Sequence, residues 1–580
     1  MKTTLNIAML LFAANLCFAQ TTIQNDPTEP YGRPRPDYWF GQHDRLSPIR
    51  GEVGEGSKPR QATSQFSTAL TDSYNFGTDT CVNDNPPGTS YETPYSSGAH
   101  AIAARGDTVY LVWRSDRLIS GGGKTTIYFD KSTDGGNTWG TDVRITDSDS
   151  AALMPALAVG KDGTIYVSWT DFRDASGYRH VYFAKSTNGG VSFSPSVRVC
   201  SDHELYQAFS SIAVNDSGLI FVAWSDGRNI NGTKNDYDLF CAKSIDNGSS
   251  FLSSVRVDDT GLDTIGQGGA SIAAKDSCVF VSFNDERDEN GYVNVYVAKS
   301  INYGQSFSPN YLVNDTTGQV NRDQWTSSLT VDDSGIYISW MDNRNGNYDV
   351  YYAKSADGGI TFTHPNLNLI DAAGQPYAQG YPSLCCDDSG GVYCAWEDHR
   401  NDYNWAEQIY FGFSKNYGDS FGNNLHVDDR PLDDSAWLWR PTICVNTSGK
   451  VFTAWEDDRN SPSHVKTDIY TTAGSFTGVA GRPAEPISLN KATLHASPNP
   501  FRNAVNIEYG IPAAGRLRLS IYNITGQLVK TVTEGNARPG VHRATWNISG
   551  NAGNKLACGM YVLSLEACGK TVTKKILLIK

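Results

Sequence analysis

The 580-residue chain is poor in several kinds of residue, and each shortage argues against a class of protein. Basic residues are not in excess: 48 Lys and Arg stand against 62 Asp and Glu, a net charge of −14. This balance argues against a nucleic-acid partner, because polyanion binding needs clustered cations. No Cys-x-x-Cys pair occurs among the 11 cysteines, so no zinc site is expected. Methionine is scarce, at 5 residues, whereas 55 glycines and 11% aromatic residues are typical of short strands and tight turns.

Long apolar runs are also missing beyond the N-terminal twenty residues. Lys2, the apolar segment 7–18 and the small residue Ala19 before Gln20 have the pattern of a signal peptide over residues 1–19. No later segment approaches about eighteen uninterrupted apolar residues, so no membrane span is predicted. We therefore expect an exported protein that is either secreted or attached to the outer cell surface.

An eight-residue motif, Ser-x-Asp/Asn-x-Gly-x-Ser/Thr-aromatic, occurs six times at intervals of 54 to 59 residues. The copies occupy residues 132–139, 186–193, 244–251, 300–307, 355–362 and 414–421. Such a period indicates one supersecondary unit stacked many times. Within residues 154–200, short apolar runs separated by turns predict four strands, the antiparallel blade of a β-propeller.

A second motif, aromatic-x-Asp-x-Arg, ends the second predicted strand of each unit. Its aromatic residue is Phe at position 283 and Trp at positions 113, 169, 224, 340, 396 and 455. In the first copy the Asp stands one place later, at Asp116. Because near-equivalent copies cannot all occupy one asymmetric site, we predict that each Asp–Arg pair is structural and holds a loop to its neighbour.

Seven second strands but six eight-residue motifs imply that one unit is divided between the two ends of the repeat region. After the last Trp the chain reaches a third strand at 468–470, and no fourth strand follows. Near the N-terminus, Phe76 precedes Val82 at the spacing that separates Phe251 from Val257, so residues 73–84 are predicted to supply the missing strand. The predicted fold is all-β with a seven-bladed propeller; a six-bladed ring with one spare unit is the alternative.

The repeat period stops after residue 483, where the composition changes. The predicted segments are a signal peptide (1–19), an N-terminal extension (20–69), the propeller (70–478), a linker (479–493) and a C-terminal domain (494–580).

The eight-residue motifs resemble the Asp-box, or BNR repeat, of sialidases over about residues 70–475. The resemblance implies a sialidase-like β-propeller whose motif turns lie on the face away from the active site. Sialidases also have an Arg-Ile-Pro motif at the start of a first strand; the positions comparable to its arginine hold Leu153, Gly380 and Trp439. Arg440 is adjacent but out of register by one, so no catalytic residue is carried over from the family.

Residues 494–580 resemble the C-terminal sorting domain of the type IX (Por) secretion system, an Ig-like sandwich also similar to the FlgD Ig-like domain. The resemblance is carried by Ser-Pro-Asn-Pro-Phe at 497–501, Gly-Met-Tyr at 559–561 and the basic-apolar end at 574–580. It implies that the type IX machinery is a partner and moves the protein through the outer membrane. A plain accessory sandwich is the alternative.

Non-repeated residues on the face opposite the motifs are the candidate ligand-binding residues. They are Glu204, Tyr206, Arg322, Trp325, Tyr381, Trp437, Trp439 and Arg440. Exposed aromatic rings stack on sugars or grip a protein partner, and arginine binds carboxylates. Tyr206 beside Glu204 has the composition of a Tyr–Glu nucleophile pair, whereas packing at the mouth of the channel is the alternative for the Trp residues.

Two functions fit these observations. The first is a propeller that binds a glycan or protein ligand without catalysis, and the alternative is an exo-sialidase-type glycoside hydrolase with a diverged active site. A purely structural surface protein is a third possibility. No cofactor is expected, although calcium could bind acidic pairs such as 258–259, 332–333 and 428–429, which turn-forming Asp explains equally well. We expect a monomer.

Overall fold

The computed structural model describes two units, Met1–Phe476 and Thr477–Lys580, each treated by itself below. The described residues are 73–94, 100–117, 124–174, 178–201, 205–229, 237–261, 265–287, 292–315, 323–371, 377–401, 407–432, 436–461, 463–477, 493–497, 499, 501, 504–511, 515–537, 540–547, 557, 559–567 and 569–579. The predicted signal peptide, the extension 20–69 and residues 479–492 of the linker lie outside them. Within these ranges the regular structure is entirely β-strand. No helix in this part of the chain is long and apolar enough to cross a membrane.

Seven antiparallel sheets occupy the described part of the first unit. Blade 1 contains β3 (Glu92–Thr93), β4 (Ile102–Arg105), β5 (Thr108–Ser115), β6 (Thr126–Ser132) and β7 (Val143–Arg144). Blade 2 contains β8 (Ala152–Val159), β9 (Ile165–Asp171), β10 (His180–Ser186) and β11 (Val197–Arg198). Blade 3 contains β12 (Gln207–Val214), β13 (Ile220–Asp226), β14 (Asp238–Ser244) and β15 (Val255–Arg256). Blade 4 contains β16 (Gln267–Lys275), β17 (Cys278–Asp285), β18 (Asn294–Ser300) and β19 (Tyr311–Leu312). Blade 5 contains β20 (Gln324–Val331), β21 (Ile336–Asp342), β22 (Asp349–Ser355) and β23 (Leu367–Asn368). Blade 6 contains β24 (Gln379–Cys386), β25 (Val392–Asp398), β26 (Gln408–Ser414) and β27 (Leu425–His426). Blade 7 contains β28 (Leu438–Val445), β29 (Val451–Asp457) and β30 (Asp468–Phe476), together with β1 (Tyr74–Phe76) and β2 (Thr80–Cys81). The predicted seven-bladed propeller is confirmed, and the six-bladed alternative is wrong.

The last blade joins the two ends of the propeller. β1 pairs with β30 from Tyr74 opposite Phe476, and β2 pairs with the same strand from Thr80 opposite Thr471. Blade 7 then meets blade 1, because Ala101 N donates to Thr442 Oγ1 at 3.2 Å. Equivalent hydroxyls link other inner strands; Ile443 N, for example, donates to Ser383 Oγ at 3.2 Å.

The aromatic-x-Asp-x-Arg motif makes the same contacts in successive blades. In blade 2, Trp169 Nε1 and Arg173 Nη2 both donate to Asp171 Oδ2, at 2.9 and 2.7 Å. Arg173 Nη1 donates to Asp147 of blade 1 at 2.7 Å, and the guanidinium lies 4.1 Å above the ring centre of Tyr182. In blades 2 and 4 to 7 the arginine thus ties its blade to an aspartate of the preceding one.

Blade 1 makes the corresponding contact with a different carboxylate. Ser115 stands where the other blades have Asp, and Trp113 Nε1 donates instead to Glu92 Oε2 at 2.9 Å. Asp116, the Asp that stands one place later, accepts a 2.7 Å hydrogen bond from Tyr91 N.

The eight-residue motifs form turns between the third and fourth strands. In blade 2, Ser186 Oγ donates to Asn188 Oδ1 at 2.8 Å and accepts from Gly190 N at 2.9 Å. Gly190 has φ 86°, and a Cβ there would overlap the Phe129 ring of blade 1, so glycine is required. Because these turns and the ends of the second strands lie at opposite ends of each sheet, the motifs occupy one face and the aromatic-x-Asp-x-Arg ends occupy the other.

Reciprocal hydrogen bonds also join neighbouring blades at their outer edge. Between blades 3 and 4, Asn310 N donates to Asp259 Oδ2 at 2.8 Å and Asp259 N donates to Asn310 Oδ1 at 2.9 Å. The remaining Asn310 Nδ2 donates to Val257 O at 3.1 Å. Between blades 6 and 7 the place of this Asn is taken by Asp79, which exchanges 3.1 Å bonds with Asp429.

The inner strands of blades 2 to 7 each carry a β-bulge near the face of the aromatic-x-Asp-x-Arg ends. One residue of each bulge has positive φ: Met154, Phe209, Gly269, Thr326, Tyr381 and Arg440. Positive φ in a bulky residue costs about 1–3 kcal/mol and persists where the surroundings enforce it, often at functional sites. The bulges therefore mark this face, called the bulge face below, as the candidate location of a functional site.

The second unit contains two antiparallel sheets that share one core. Their strands are β31 (Thr493–Ser497), β32 (Ala504–Ile511) and β35 (Gly540–Asn547) in one sheet, and β33 (Gly515–Asn523), β34 (Leu528–Ala537), β36 (Gly559–Ala567) and β37 (Lys570–Leu578) in the other. Trp546 is fully buried between them and contacts Phe501 and Tyr561 at ring-centre distances of 5.4 and 5.6 Å. This unit is a small β-sandwich.

Candidate functional site on the bulge face

The residue between the aromatic residue and the Asp of the second motif differs from blade to blade. From blade 1 to blade 7 it is Arg114, Thr170, Ser225, Asn284, Met341, Glu397 and Glu456, and all seven are buried. Successive strand residues alternate faces, so this position points away from the aromatic residue and toward the next blade. Arg440 N of blade 7, for instance, donates to Glu397 Oε1 of blade 6 at 2.6 Å. The same position in each blade therefore holds a different side chain, and together these side chains form a ring. The side chains of blades 6, 7 and 1 are charged.

Tyr91, Glu456 and Arg440 form the centre of the charged part of this ring. Tyr91 OH donates to Glu456 Oε2 at 2.9 Å. Arg440 Nη1 donates to Tyr91 OH at 3.0 Å and to Glu456 Oε1 at 3.1 Å. Thr93 Oγ1 also donates to Glu456 Oε1. Burial, followed by the Glu456 carboxylate, raises the pKa of Tyr91, so the phenol stays protonated and donates to Glu456.

Glu397 lies on the other side of Arg440. It is buried, and burial raises its pKa well above the usual range of a carboxyl, against the opposing effect of Arg440 and with a smaller contribution from Glu456. A carboxyl held in this way remains protonated near neutral pH and can serve as a proton donor.

Two arginines supply positive charge to the pocket formed by Tyr91, Arg114, Glu397, Arg440 and Glu456, called the charged pocket below. The Arg114 guanidinium lies 5.3 Å from the Tyr91 ring centre. Arg440 is 12% exposed at its side chain, and its φ of 52° places it in a bulge whose backbone N–H already bonds Glu397. Because the raised pKa of Glu397 keeps this carboxyl protonated, it does not offset the two guanidinium groups, which suit an anionic group.

Two tryptophans stand beside this pocket at the start of β28. The Trp437 ring packs edge-on against Trp439, 5.5 Å between ring centres, and stacks on His464 at 4.8 Å. His464 Nδ1 lies 2.8 Å from Asp458 Oδ2, and Trp437 N donates to Asp458 Oδ1 at 2.8 Å. Both Trp residues are half-buried, so each keeps surface available at the edge of the charged pocket.

A mainly aromatic cluster lies on the same face over blades 3 to 6. It consists of Tyr206, Tyr237, Val293, Trp325, Met341, Tyr348 and Tyr381. The four residues Tyr237, Val293, Trp325 and Met341 are buried, whereas the other three are half-buried. This set is called the aromatic cluster below.

The candidate residues expected from the sequence separate into groups. Tyr206, Trp325 and Tyr381 belong to the aromatic cluster. Trp437 and Trp439 pack together beside the charged pocket, and Arg440 is part of it. Glu204 and Arg322 lie outside the described residues, and so does any pairing of Glu204 with Tyr206.

Sequence reasoning missed four residues of the charged pocket: Tyr91, Arg114, Glu397 and Glu456. The last three stand at the variable position inside the aromatic-x-Asp-x-Arg motif, whose Asp–Arg pair is predicted from the sequence to be structural. Comparing that position across the seven units would have revealed them, because it is charged in three units and uncharged in four. Tyr91 comes close to Glu456 only when the ring closes, since 365 residues separate them.

The described residues include no group of three or more His, Cys, Asp or Glu side chains arranged to hold a metal ion. The acidic pairs considered for calcium form protein contacts; Asp258 Oδ2, for example, accepts from Leu239 N at 2.9 Å.

The FlgD Ig-like domain family matches residues 503–570, so the C-terminal unit carries a FlgD Ig-like domain. No curated protein matches the chain. Similar solved structures include a Dyadobacter fermentans protein of unknown function (16% identity, 59% of this chain and 98% of that chain, TM-score 0.41). They also include a family PL25 ulvan lyase (12%, 68% and 94%, 0.45) and a Hadza microbial sialidase (13%, 65% and 74%, 0.38).

Proposed function

We propose that the chain is a glycoside hydrolase that acts on an anionic glycan in the charged pocket of the bulge face. The observation that supports this most strongly is the 2.9 Å hydrogen bond from Tyr91 OH to Glu456, with Arg440 Nη1 bonded to both groups. A nucleophile, a base within hydrogen-bond reach and a third group that orients the base are the requirements for covalent catalysis. Burying these non-repeated charges, with Arg440 on a strained bulge, destabilises the junction between two blades relative to apolar packing, so a purely structural role does not explain them.

In the proposed reaction Tyr91 is the nucleophile, Glu456 its base and Glu397 the acid. The Tyr91 oxygen forms a bond to the anomeric carbon while its proton passes to Glu456. The glycosidic C–O bond breaks, and the leaving oxygen takes the proton of Glu397. Water then attacks the anomeric carbon and gives a proton to Glu397, and Tyr91 departs and recovers its proton from Glu456. Two displacements at one carbon give a product with retained configuration.

The substrate class follows from charge and from the resemblance of the repeated motifs to the Asp-box. Arg440 and Arg114 favour a sugar carboxylate, and an exo-sialidase-type activity with a diverged constellation fits both. The arrangement differs from the Arg-Ile-Pro motif of sialidases in the place of the arginine. Arg440 occupies the bulge position immediately before Pro441, whereas the positions that correspond to the arginine of the motif are Leu153, Gly380 and Trp439.

We further propose that the protein is exported and retained at, or released from, the outer cell surface. The signal-peptide pattern of residues 1–19 supports export, and the FlgD Ig-like domain supports a sorting role for the C-terminal unit by the type IX machinery. Expression of the full chain with and without residues 494–580 in a type IX-competent bacterium tests this, since the shortened chain should remain periplasmic.

Hydrolysis of a fluorogenic α-sialoside by the purified protein tests the activity. Wild type should release the fluorophore, and Tyr91→Phe and Glu456→Gln should each lose at least about a hundredfold in kcat/KM, since each removes a group that acts in the transition state. Tyr110→Phe, which removes a phenol from blade 1 away from the pocket, is the matched control and should retain full activity. Equal turnover by Tyr91→Phe would refute the assignment.

A second candidate is glycan binding without catalysis, which the half-buried Trp437 and Trp439 favour. A glycan array separates the two. Capture of sialylated glycans by a wild type that turns none of them over would support binding alone.

A further inference from the structure

We infer that the bulge face carries a second sugar subsite over blades 4 and 5, built from the amide of Asn284 and the aromatic cluster, which takes the neutral sugar linked to the anionic unit. The inference rests on the proposed function, because it extends the glycan from the charged pocket onto neighbouring blades.

Asn284 is the strongest indication of this subsite. Its side chain is fully buried, and among the described residues neither Oδ1 nor Nδ2 has a hydrogen-bond partner. Leaving a buried polar group unsatisfied destabilises the folded protein, and here both the donor and the acceptor of one amide are affected. Such a group calls for an outside partner, either water or a ligand.

The position of Asn284 relates it to the charged pocket. It occupies in blade 4 the place that Glu397 and Glu456 occupy in blades 6 and 7. Ser282, two residues earlier on the same side of β17, bonds Ser327 of blade 5 at 2.9 Å between the hydroxyl oxygens. Asn284 therefore faces blade 5, beside the bulge that follows Trp325.

The aromatic cluster supplies the wall of the subsite. Trp325 is one of its buried members, and Tyr206, Tyr348 and Tyr381 are half-buried. Tyr381 follows Gly380, which pairs with Glu397, so the cluster ends next to the charged pocket.

The chemistry of these groups defines the sugar they fit. An amide offers one acceptor and two donor hydrogens, which match neighbouring sugar hydroxyls, and aromatic rings pack against the C–H face of a pyranose. Burial and the nearby Asp323 carboxylate raise the pKa of Tyr348, so negative charge lies beside the aromatic cluster and a neutral unit is favoured over a second acid.

The matched control is Thr170, at the same register position in blade 2. Its hydroxyl is also buried and has no hydrogen-bond partner in the described part of the chain, but it lies outside the aromatic cluster. If such groups merely hold water, Asn284→Leu and Thr170→Val should behave alike.

Steady-state hydrolysis of sialyllactose and of methyl α-sialoside by the full chain tests the inference. Asn284→Leu should raise KM for sialyllactose about tenfold more than KM for the methyl glycoside, through the loss of two hydrogen bonds, whereas Thr170→Val should leave the ratio at the wild-type value. An unchanged ratio for Asn284→Leu, or an equal change for Thr170→Val, would overturn it. If Asn284→Leu does not fold, Trp325→Phe, which removes part of the aromatic surface of the subsite, should raise the same ratio of KM values. If wild type hydrolyses neither substrate, the proposed function fails, and the subsite is then tested by calorimetric titration of wild type and the same variants with lactose. Weaker lactose binding by Asn284→Leu alone supports the subsite, and equal binding by all of them refutes it.

Discussion

Replacing Asp79 by Asn should stabilise the ring at the seam between blades 6 and 7. At the other outer junctions that have Asn at this position, its Nδ2 donates to a backbone carbonyl; Asn424 Nδ2, for example, donates to Leu369 O at 2.8 Å. Asp79 Oδ1 is buried there and has no hydrogen-bond partner among the described residues; unlike the Asn amide, it can donate only while the carboxyl is protonated. Burial and the neighbouring Asp429 outweigh Arg459 and raise the pKa of Asp79 to about 8.

The sign of the pH effect follows from that raised pKa. A carboxyl whose pKa is higher in the folded state contributes stability that is complete below about pH 4, and this stability is lost as the pH rises through about 8. Asn cannot ionise, and it restores a donor toward the carbonyl. The gain from Asp79→Asn should therefore be small at pH 4 and reach about 1–3 kcal/mol above pH 8, or roughly 2–6 °C in Tm.

Thermal unfolding followed by circular dichroism between pH 4 and pH 9 checks this expectation. The reverse change, Asn424→Asp, is the matched control and should introduce the same alkaline loss at the seam between blades 5 and 6. A difference between Asp79→Asn and wild type that does not grow with pH, or a variant less stable than wild type at pH 9, would refute the reasoning.

Three further predictions concern the site and the ring. Because the raised pKa of Glu397 keeps its proton in place, activity should fall as the pH rises through that pKa; Glu397→Gln should lose activity and the alkaline limb together in a pH–rate profile. Arg440→Lys should weaken the binding of a sialoside about tenfold or more in calorimetry, since an ammonium cannot bond Tyr91, Glu456 and a carboxylate in a planar arrangement; unchanged affinity would remove Arg440 from the site. Ser383→Ala should cost about 1–3 kcal/mol of unfolding free energy in denaturant titration, because it leaves the buried Ile443 N–H without its acceptor, and a change below the error of the titration would contradict the role of these inner hydroxyls.

The periodic part of this structure is predictable from sequence, because the same residues make the same contacts in each unit. Trp169, Asp171 and Arg173 interact within five residues of sequence, and their spacing alone reveals one blade. The charged pocket is different. Glu397 meets Arg440 across a blade boundary, and Tyr91 reaches Glu456 only after β1 and β2 close the ring. Such contacts depend on how neighbouring blades align, which local propensity does not encode. Arg440 is predictable as a candidate because it belongs to a non-repeated segment. Glu397 and Glu456 stand inside the repeated aromatic-x-Asp-x-Arg motif, which local sequence assigns to the scaffold.

Covalent labelling of Tyr91 tests the central claim most directly. A fluorinated sialosyl fluoride slows the breakdown of a glycosyl–enzyme intermediate, so mass spectrometry of the treated protein should find one added sugar on the peptide that contains Tyr91, with no addition in Tyr91→Phe. Turnover of the fluorogenic sialoside without a label on Tyr91, or a label that persists in Tyr91→Phe, would contradict the account.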